Sequence, residues 1–205
     1  MPEPQAQAQV EALDHAIRRL GSARLATVHP LGFLIVDQAP DGLGGYTRLH
    51  LWERTSKSPE IPHSHSGDLR STVLAGRLTS TPWYPAHHGE PVSVMAVRKN
   101  CRNVRRYEYV DSGWMIAGPS RIFGAGECYL IRAGDFHSAE CRSPIAITLV
   151  ERSPAPAERA RIAIKAGSAP GHRRMVELAE DLRSAALELL RAERGRCAAL
   201  RQGQG

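Results

Sequence analysis

The chain has 205 residues, 42% hydrophobic and 23% charged, with a formal net charge of +6. That length and apolar content suit one globular domain with a core of its own and exclude a low-complexity chain. The basic excess is scattered among acids, apart from the run Arg98, Lys99, Arg102, Arg105 and Arg106. With no zinc-finger spacing and no basic recognition helix, a nucleic-acid partner is not expected.

In chain order, Val10, Leu13, Ile17 and Leu20 recur at helical spacing, which predicts an N-terminal helix over 1–22 with Gly21 as its C-terminal cap. Residues 23–153 change texture. "GFLIVDQ", "YTRLHLWER", "LRSTVLAGRLTST", "VSVMAVRKN", "NVRRYEYVD", "SRIFGAGECYLIRAG" and "IAITLVERS" are short β-branched or aromatic segments. Turn material such as "APDGLGG", "YPAHHGEP" and "DSG" separates them. Many short strands with no helix between them predict an all-β, antiparallel barrel or sandwich. Residues 154–171 are rich in Pro, Ala and Gly and read as a linker. A C-terminal helix over 172–205 follows, with Met175, Leu178, Leu182, Leu189 and Leu200 on its apolar stripe. That helix packs on the barrel, pairs with a second subunit in a homodimer, or stands in solvent. No apolar run approaches the ~20 residues of a membrane helix, so no membrane partner is expected. Four cysteines, at 101, 128, 141 and 197, form no CxxC pair, and no secretory pattern opens the chain. A reduced, cytoplasmic protein is the expectation.

The chemistry concentrates in "IPHSHSGDLRSTVLAG", residues 61–76. Two imidazoles at i and i+2 point the same way only on an extended backbone; on a helix they diverge by roughly 200°. A third histidine, His137, lies downstream in "GECYLIRAGDFHSAEC" beside a Gly-Asp turn. Two histidines from one strand and one from a remote hairpin can form a three-nitrogen site for Fe, Mn, Ni, Zn or Cu, with open positions left for a substrate.

These segments resemble the two motifs of the cupin superfamily, whose jelly-roll barrels hold one metal. The first, His-x-His-x(3,4)-Glu-x6-Gly, is matched in spacing by His63, His65, Leu69 and Gly76. The second, Gly-x5-Pro-x-Gly-x2-His-x3-Asn, is matched by Gly126, Arg132, Gly134, His137 and Cys141. Leu69 stands where the acidic ligand is expected, Arg132 replaces the proline, and Cys141 replaces the asparagine. The resemblance covers residues 23–153 and implies an all-β cupin jelly-roll barrel with His63, His65 and His137 on one divalent metal. By strict alternation Leu69 faces that metal. A bulge at the Ser-Gly turn would instead turn Asp68 inward, as in a cupin subgroup that keeps an aspartate there, so Asp68 is a candidate fourth ligand or supporting partner. A three-histidine centre is also similar to that of thiol dioxygenases. The cysteine that many of them carry, paired to a tyrosine, has no counterpart at Leu69, and a cysteine substrate is not implied.

Other residues divide between pocket and surface. Tyr46, Arg48, His50 and Trp52 share one face of their strand, where Arg48 could hold a substrate carboxylate, or that face is surface and Leu49 and Leu51 fill the barrel. Ser71 shares the face of His65. Arg105, Tyr107 and Tyr109 alternate on one face, expected to be exposed, although Tyr107 is also a pocket candidate. His87 and His88 are expected in solvent, and Cys128 and Cys141 as small buried residues. The functional expectation is a metal-dependent enzyme with one Fe(II) per chain (alternatives Zn, Mn, Ni or Cu), a non-haem oxygenase acting on a small anionic substrate. A Zn or Mn lyase or isomerase, and a non-catalytic small-molecule-binding cupin, are the alternatives.

Overall fold

Alternating in-and-out side chains build two facing antiparallel sheets in the structure, a computed structural model that describes residues 3–40, 42, 45–54, 61–99, 105–154, 159–168 and 174–202. In order, the elements are α1 (Glu3–Ser22), β1 (Leu25–Val28), β2 (Phe33–Pro40), β3 (Tyr46–Glu53), β4 (Leu69–Ala75), β5 (Arg77–Ala86) and β6 (Glu90–Lys99). After these come β7 (Arg105–Ala117), β8 (Arg121–Gly124), β9 (Cys128–Ile131), β10 (Phe136–Cys141), β11 (Ile145–Arg152), β12 (Arg161–Lys165), β13 (Arg174–Glu177) and α2 (Glu180–Gln202). The first sheet runs β13-β1-β2-β3-β11-β4-β9 and the second β10-β5-β7-β6-β12, with β8 beside β5. Within them, β3-β11-β4-β9 faces a sheet in which β10 lies between β5 and the backbone of residue 63. That interleaving of early and late strands is the order of a jelly roll. The fold is an all-β jelly-roll barrel with a helix at each end of the chain.

The second sheet closes on itself. His63 bridges both of its edges, β10 through His137 and β12 through Ile162. Ser64 N–H donates to Arg161 C=O at 2.8 Å, and Ala163 N–H donates to Pro62 C=O at 2.8 Å. Segment 61–65 is thus the seam of a ring, and no free edge is left there.

Between the sheets lie Phe33, Ile35, Trp52, Leu78, Ala146 and Ile162, all buried. The outer face of the first sheet is covered by both helices, where Leu13, Leu20, Leu49, Leu51, Ile147 and Leu190 are almost fully buried. Both faces of β3 are therefore buried, which a single strand's pattern could not reveal. The C-terminal helix packs on α1 and the barrel rather than standing in solvent.

The structure departs from the sequence expectation toward the C-terminus. Residues 161–165, placed in a linker, form β12, because "RIAIK" buries Ile162, Ala163 and Ile164 against β6. Residues 174–177, placed in the helix, pair with β1 instead, and α2 starts at Glu180 with acidic residues in its first turn. Met175 and Leu200, counted on its stripe, are 68% and 59% exposed. The N-terminal helix runs past Gly21, which has nothing within 4 Å of a Cβ built on it and no left-handed backbone. Gly76 is different: its φ is +77°, and an added Cβ would lie 2.3 Å from the Ile145 carbonyl oxygen, so the motif glycine is required by the turn from β4 into β5.

Candidate metal centre

His63 and His65 stand not on β4 but on the extended seam before it. The two-residue period still holds, because the segment is ladder-paired. His63 and His137 exchange N–H···O=C bonds of 2.9 Å in both directions, and Gly134 N–H donates to His65 C=O at 2.9 Å. Ser64, between them, faces the opposite strand. Both imidazoles consequently leave the same side of the seam and meet His137 from β10.

One ring nitrogen from each histidine falls within a 4.8 Å cluster, the only such group of three or more His, Cys, Asp or Glu among the described residues. Ring centroids are 4.4 Å apart for His63–His137, 5.0 Å for His63–His65 and 5.2 Å for His65–His137. His65 Nε2 and His137 Nε2 are 3.0 Å apart. His63 Nδ1 lies 3.2 Å from the Ile61 carbonyl, which can only accept, so a neutral ring carries its proton on Nδ1 and its lone pair on Nε2. The His137 Nδ1 is buried without a hydrogen-bond partner among the described residues. Burial holds the His65 imidazole well below the usual 6.5, and positive neighbours, His63 and then Arg48, add to the effect. Burial, followed by His63 and His65, does the same to His137. Burial thus disfavours the charged form of two of the three convergent imidazoles, and a divalent first-row metal takes imidazole as the free base.

The same shifts set a pH dependence for the metal-free protein. With folded values below the unfolded value near 6.5, the unfolded chain binds more protons below that pH. Stability is then complete above about pH 6.5 and falls as pH drops below it. Thermal melts of chelator-treated protein from pH 8 to 5 should show that decline, reduced in His137→Gln; a flat profile would contradict it.

Asp68, the candidate fourth ligand, does not join the group. It is exposed, and its Oδ1 accepts the Ala133 N–H at 2.8 Å. No bulge turns it inward; Leu69 is buried and lines the cavity beside the histidines. Asp68 instead fastens the turn at 132–135, where Gly134 has φ +86° and its N–H meets His65. That turn links Asp68 to the backbone of His65. Asp68→Ala should therefore weaken metal binding by about 10–100-fold, the range for outer partners of a metal site, without abolishing it. A competition titration checks this, and a loss equal to that of His65→Ala would make Asp68 a ligand.

Two cavities that share His50, His63 and His65 in their linings flank the histidines. The inner one, about 40 Å³, is lined by Leu31, Phe33, Trp52, Leu69, Tyr129 and Val150 as well as the three histidines, His50 and Ser71. Burial pushes the Tyr129 phenol up. The outer chamber, about 360 Å³, is within the size range of small-molecule sites. Of the pocket candidates, Arg48, His50 and Tyr107 line the outer chamber and Ser71 the inner cavity. The polar-aromatic face of β3 thus looks into the barrel, because the leucines of its other face lie under the helices. Tyr107 is half-buried in the chamber wall, contrary to the exposed face expected, while Tyr109 is 59% exposed. The side chain of Arg105, together with Arg102 and Cys101, lies outside the described residues. His87 and His88 are exposed, and so is Cys128, expected to be buried; Cys141 is buried and its Sγ–H donates to Ser143 C=O at 3.1 Å. Arg152, which no motif marked, also lines the chamber. Its signal was alternation: Val150 and Arg152 share one face of "TLVERS".

No protein family matches the sequence, and no curated protein matches it. Solved structures with some likeness include hydroxypropylphosphonic acid epoxidase from S. wedmorenis, at 9% identity, TM-score 0.34, covering 59% of this chain and 49% of that one. The match thus spans about half of the epoxidase chain. Another is hydroquinone 1,2-dioxygenase PnpCD in complex with Cd2+ and 4-hydroxybenzonitrile, at 16% identity, TM-score 0.38, covering 71% and 77%. A third is an uncharacterized conserved protein with a double-stranded beta-helix domain from Klebsiella pneumoniae subsp. pneumoniae, at 13% identity, TM-score 0.38, covering 65% and 79%.

Proposed function

We propose that the protein is a mononuclear non-haem Fe(II) oxygenase of the cupin type, acting on a small anionic organic substrate. The observation that carries this reading is the meeting of His63, His65 and His137 within 4.8 Å at the boundary between an apolar niche and a chamber open to a small molecule. Iron held there would supply the change of oxidation state that dioxygen chemistry needs, with its positive charge undiminished by neutral ligands. The chain's own groups do the rest. Ile61 fixes the tautomer of His63, and the His63–His137 backbone pair sets the spacing of two ligands. The apolar lining of Leu31, Phe33, Trp52 and Leu69 keeps water scarce beside the metal.

A Zn or Mn lyase or isomerase is the second reading; neither cavity has an Asp or Glu among its described lining residues, so His50, which lines both, is the general base that chemistry would use. We place the protein in a reducing, cytoplasmic setting, in keeping with the free thiols of Cys128, Cys141 and Cys197. The test is an oxygen-electrode screen of Fe(II)-loaded protein over amino acids, thiols and small keto acids. Uptake that requires both iron and one organic anion is the expected result; no uptake with any anion in an iron-loaded sample would count against the oxygenase.

A further inference from the structure

The outer chamber is lined by four arginines, Arg48, Arg152, Arg159 and Arg161, and by no aspartate or glutamate among the described residues. Arg159 lies 3.7 Å from Glu108, whereas Arg152 has no carboxylate within 4.0 Å among the described residues. Strand register gathers the inner pair. Arg152 of β11 lies opposite Tyr46 of β3, and Arg48 follows Tyr46 by two residues, so all three leave one face. The guanidinium carbons of Arg48 and Arg152 are 3.8 Å and 5.1 Å from the Tyr46 ring centre.

Two cations on one ring repel each other, and the acceptor that holds Arg152 is neutral. Arg48 Nε donates to Gln38 Oε1 and Arg152 Nη2 to Ser66 Oγ, each at 2.9 Å. Arg152 Nε is buried with no acceptor among the described residues. An oxyanion would meet that donor and offset the repulsion, since a guanidinium fork matches a carboxylate or phosphonate bidentately. Beside the arginines runs an aromatic wall. The Phe33 ring stacks on His29 at 4.3 Å and on His50 at 4.4 Å, and with Leu31 and Val150 it gives the chamber an apolar side.

We propose that Arg152, with Arg48 across Tyr46, is the oxyanion-binding site of the chamber, and that the substrate is a small organic acid whose apolar body lies on the Phe33 side of the chamber toward the histidines. This rests on the chamber being the substrate site of the proposed metalloenzyme and adds the class of substrate. Arg152 acts by holding the head group, not by reacting.

The test is calorimetric titration of the full-length chain, as purified and again after chelator treatment, with benzoate, phenylphosphonate and the neutral analogue benzamide. At least one anion should bind about tenfold or more tightly than benzamide in both samples. Arg152→Gln should lose about tenfold or more of that affinity while binding benzamide as before, and Arg152→Lys should restore only part, because an ammonium lacks the fork. Tighter benzoate binding assigns a carboxylic acid, and tighter phenylphosphonate binding a phosphonate or phosphate ester. Benzamide equal to both anions, no binding of any probe, or unchanged anion affinity in a folded Arg152→Gln overturns the proposal. The comparison of probes on the unaltered chain decides the matter even if Arg152→Gln fails to fold. A separate Co(II) titration keeps the two claims apart: anion selectivity without metal binding sinks only the metalloenzyme, and metal binding without anion selectivity sinks only the oxyanion site.

Discussion

Alanine at His63, His65 or His137 should each abolish metal retention while the barrel stays folded. The loss is expected to be total because the group has three nitrogens and no carboxylate in reserve, Asp68 being engaged with the Ala133 N–H. Folding should survive because the seam is held by main-chain bonds. The reciprocal His63–His137 pair and the Gly134-to-His65 bond use backbone atoms that alanine keeps. Removing a desolvated imidazole also removes a group that resists burial when charged. Metal analysis after dialysis, with circular dichroism on the same samples, reads both halves of the expectation. Full metal retention in all three variants would refute the assignment of the site.

The second large effect separates redox chemistry from Lewis-acid chemistry. Zn(II) binds imidazole well but cannot change oxidation state, so zinc-loaded protein should keep substrate binding and lose turnover completely. A lyase or isomerase needs only polarisation of a carbonyl and would keep appreciable activity with zinc and without oxygen. Product formation measured under argon with the zinc-loaded chain distinguishes them. None is expected; clear turnover would promote the lyase or isomerase.

The histidine trio was legible because it is local in pattern and strict in spacing. His-x-His fixes an extended segment, and the second motif brings His137 by way of the Gly134 turn, whose positive φ only glycine takes easily. Four features were not legible, each for a non-local reason. The inward face of β3 could not be chosen from its alternation, because both faces are buried once α1 and α2 cover Leu49 and Leu51. Strands β12 and β13 looked like linker and helix, since β12 is buried only by pairing with β6 and β13, largely exposed, is held in place by its pairing with β1. The choice between Leu69 and Asp68 turned on a hydrogen bond across 65 residues, from Ala133 to Asp68, which no spacing within the motif encodes. Arg152 escaped notice for the same reason: its partners Ser66 and Tyr46 are distant in sequence and meet it only through the sheet.

The central claim is that three imidazoles of this chain hold one metal ion. Its most direct test is X-ray absorption of anaerobically purified, Fe(II)-reconstituted protein, combined with metal analysis of the same sample. The account predicts about one iron per chain, with a first coordination shell of nitrogen and oxygen that includes three imidazoles. Substoichiometric iron after reconstitution, or a shell without imidazole scattering, would contradict it.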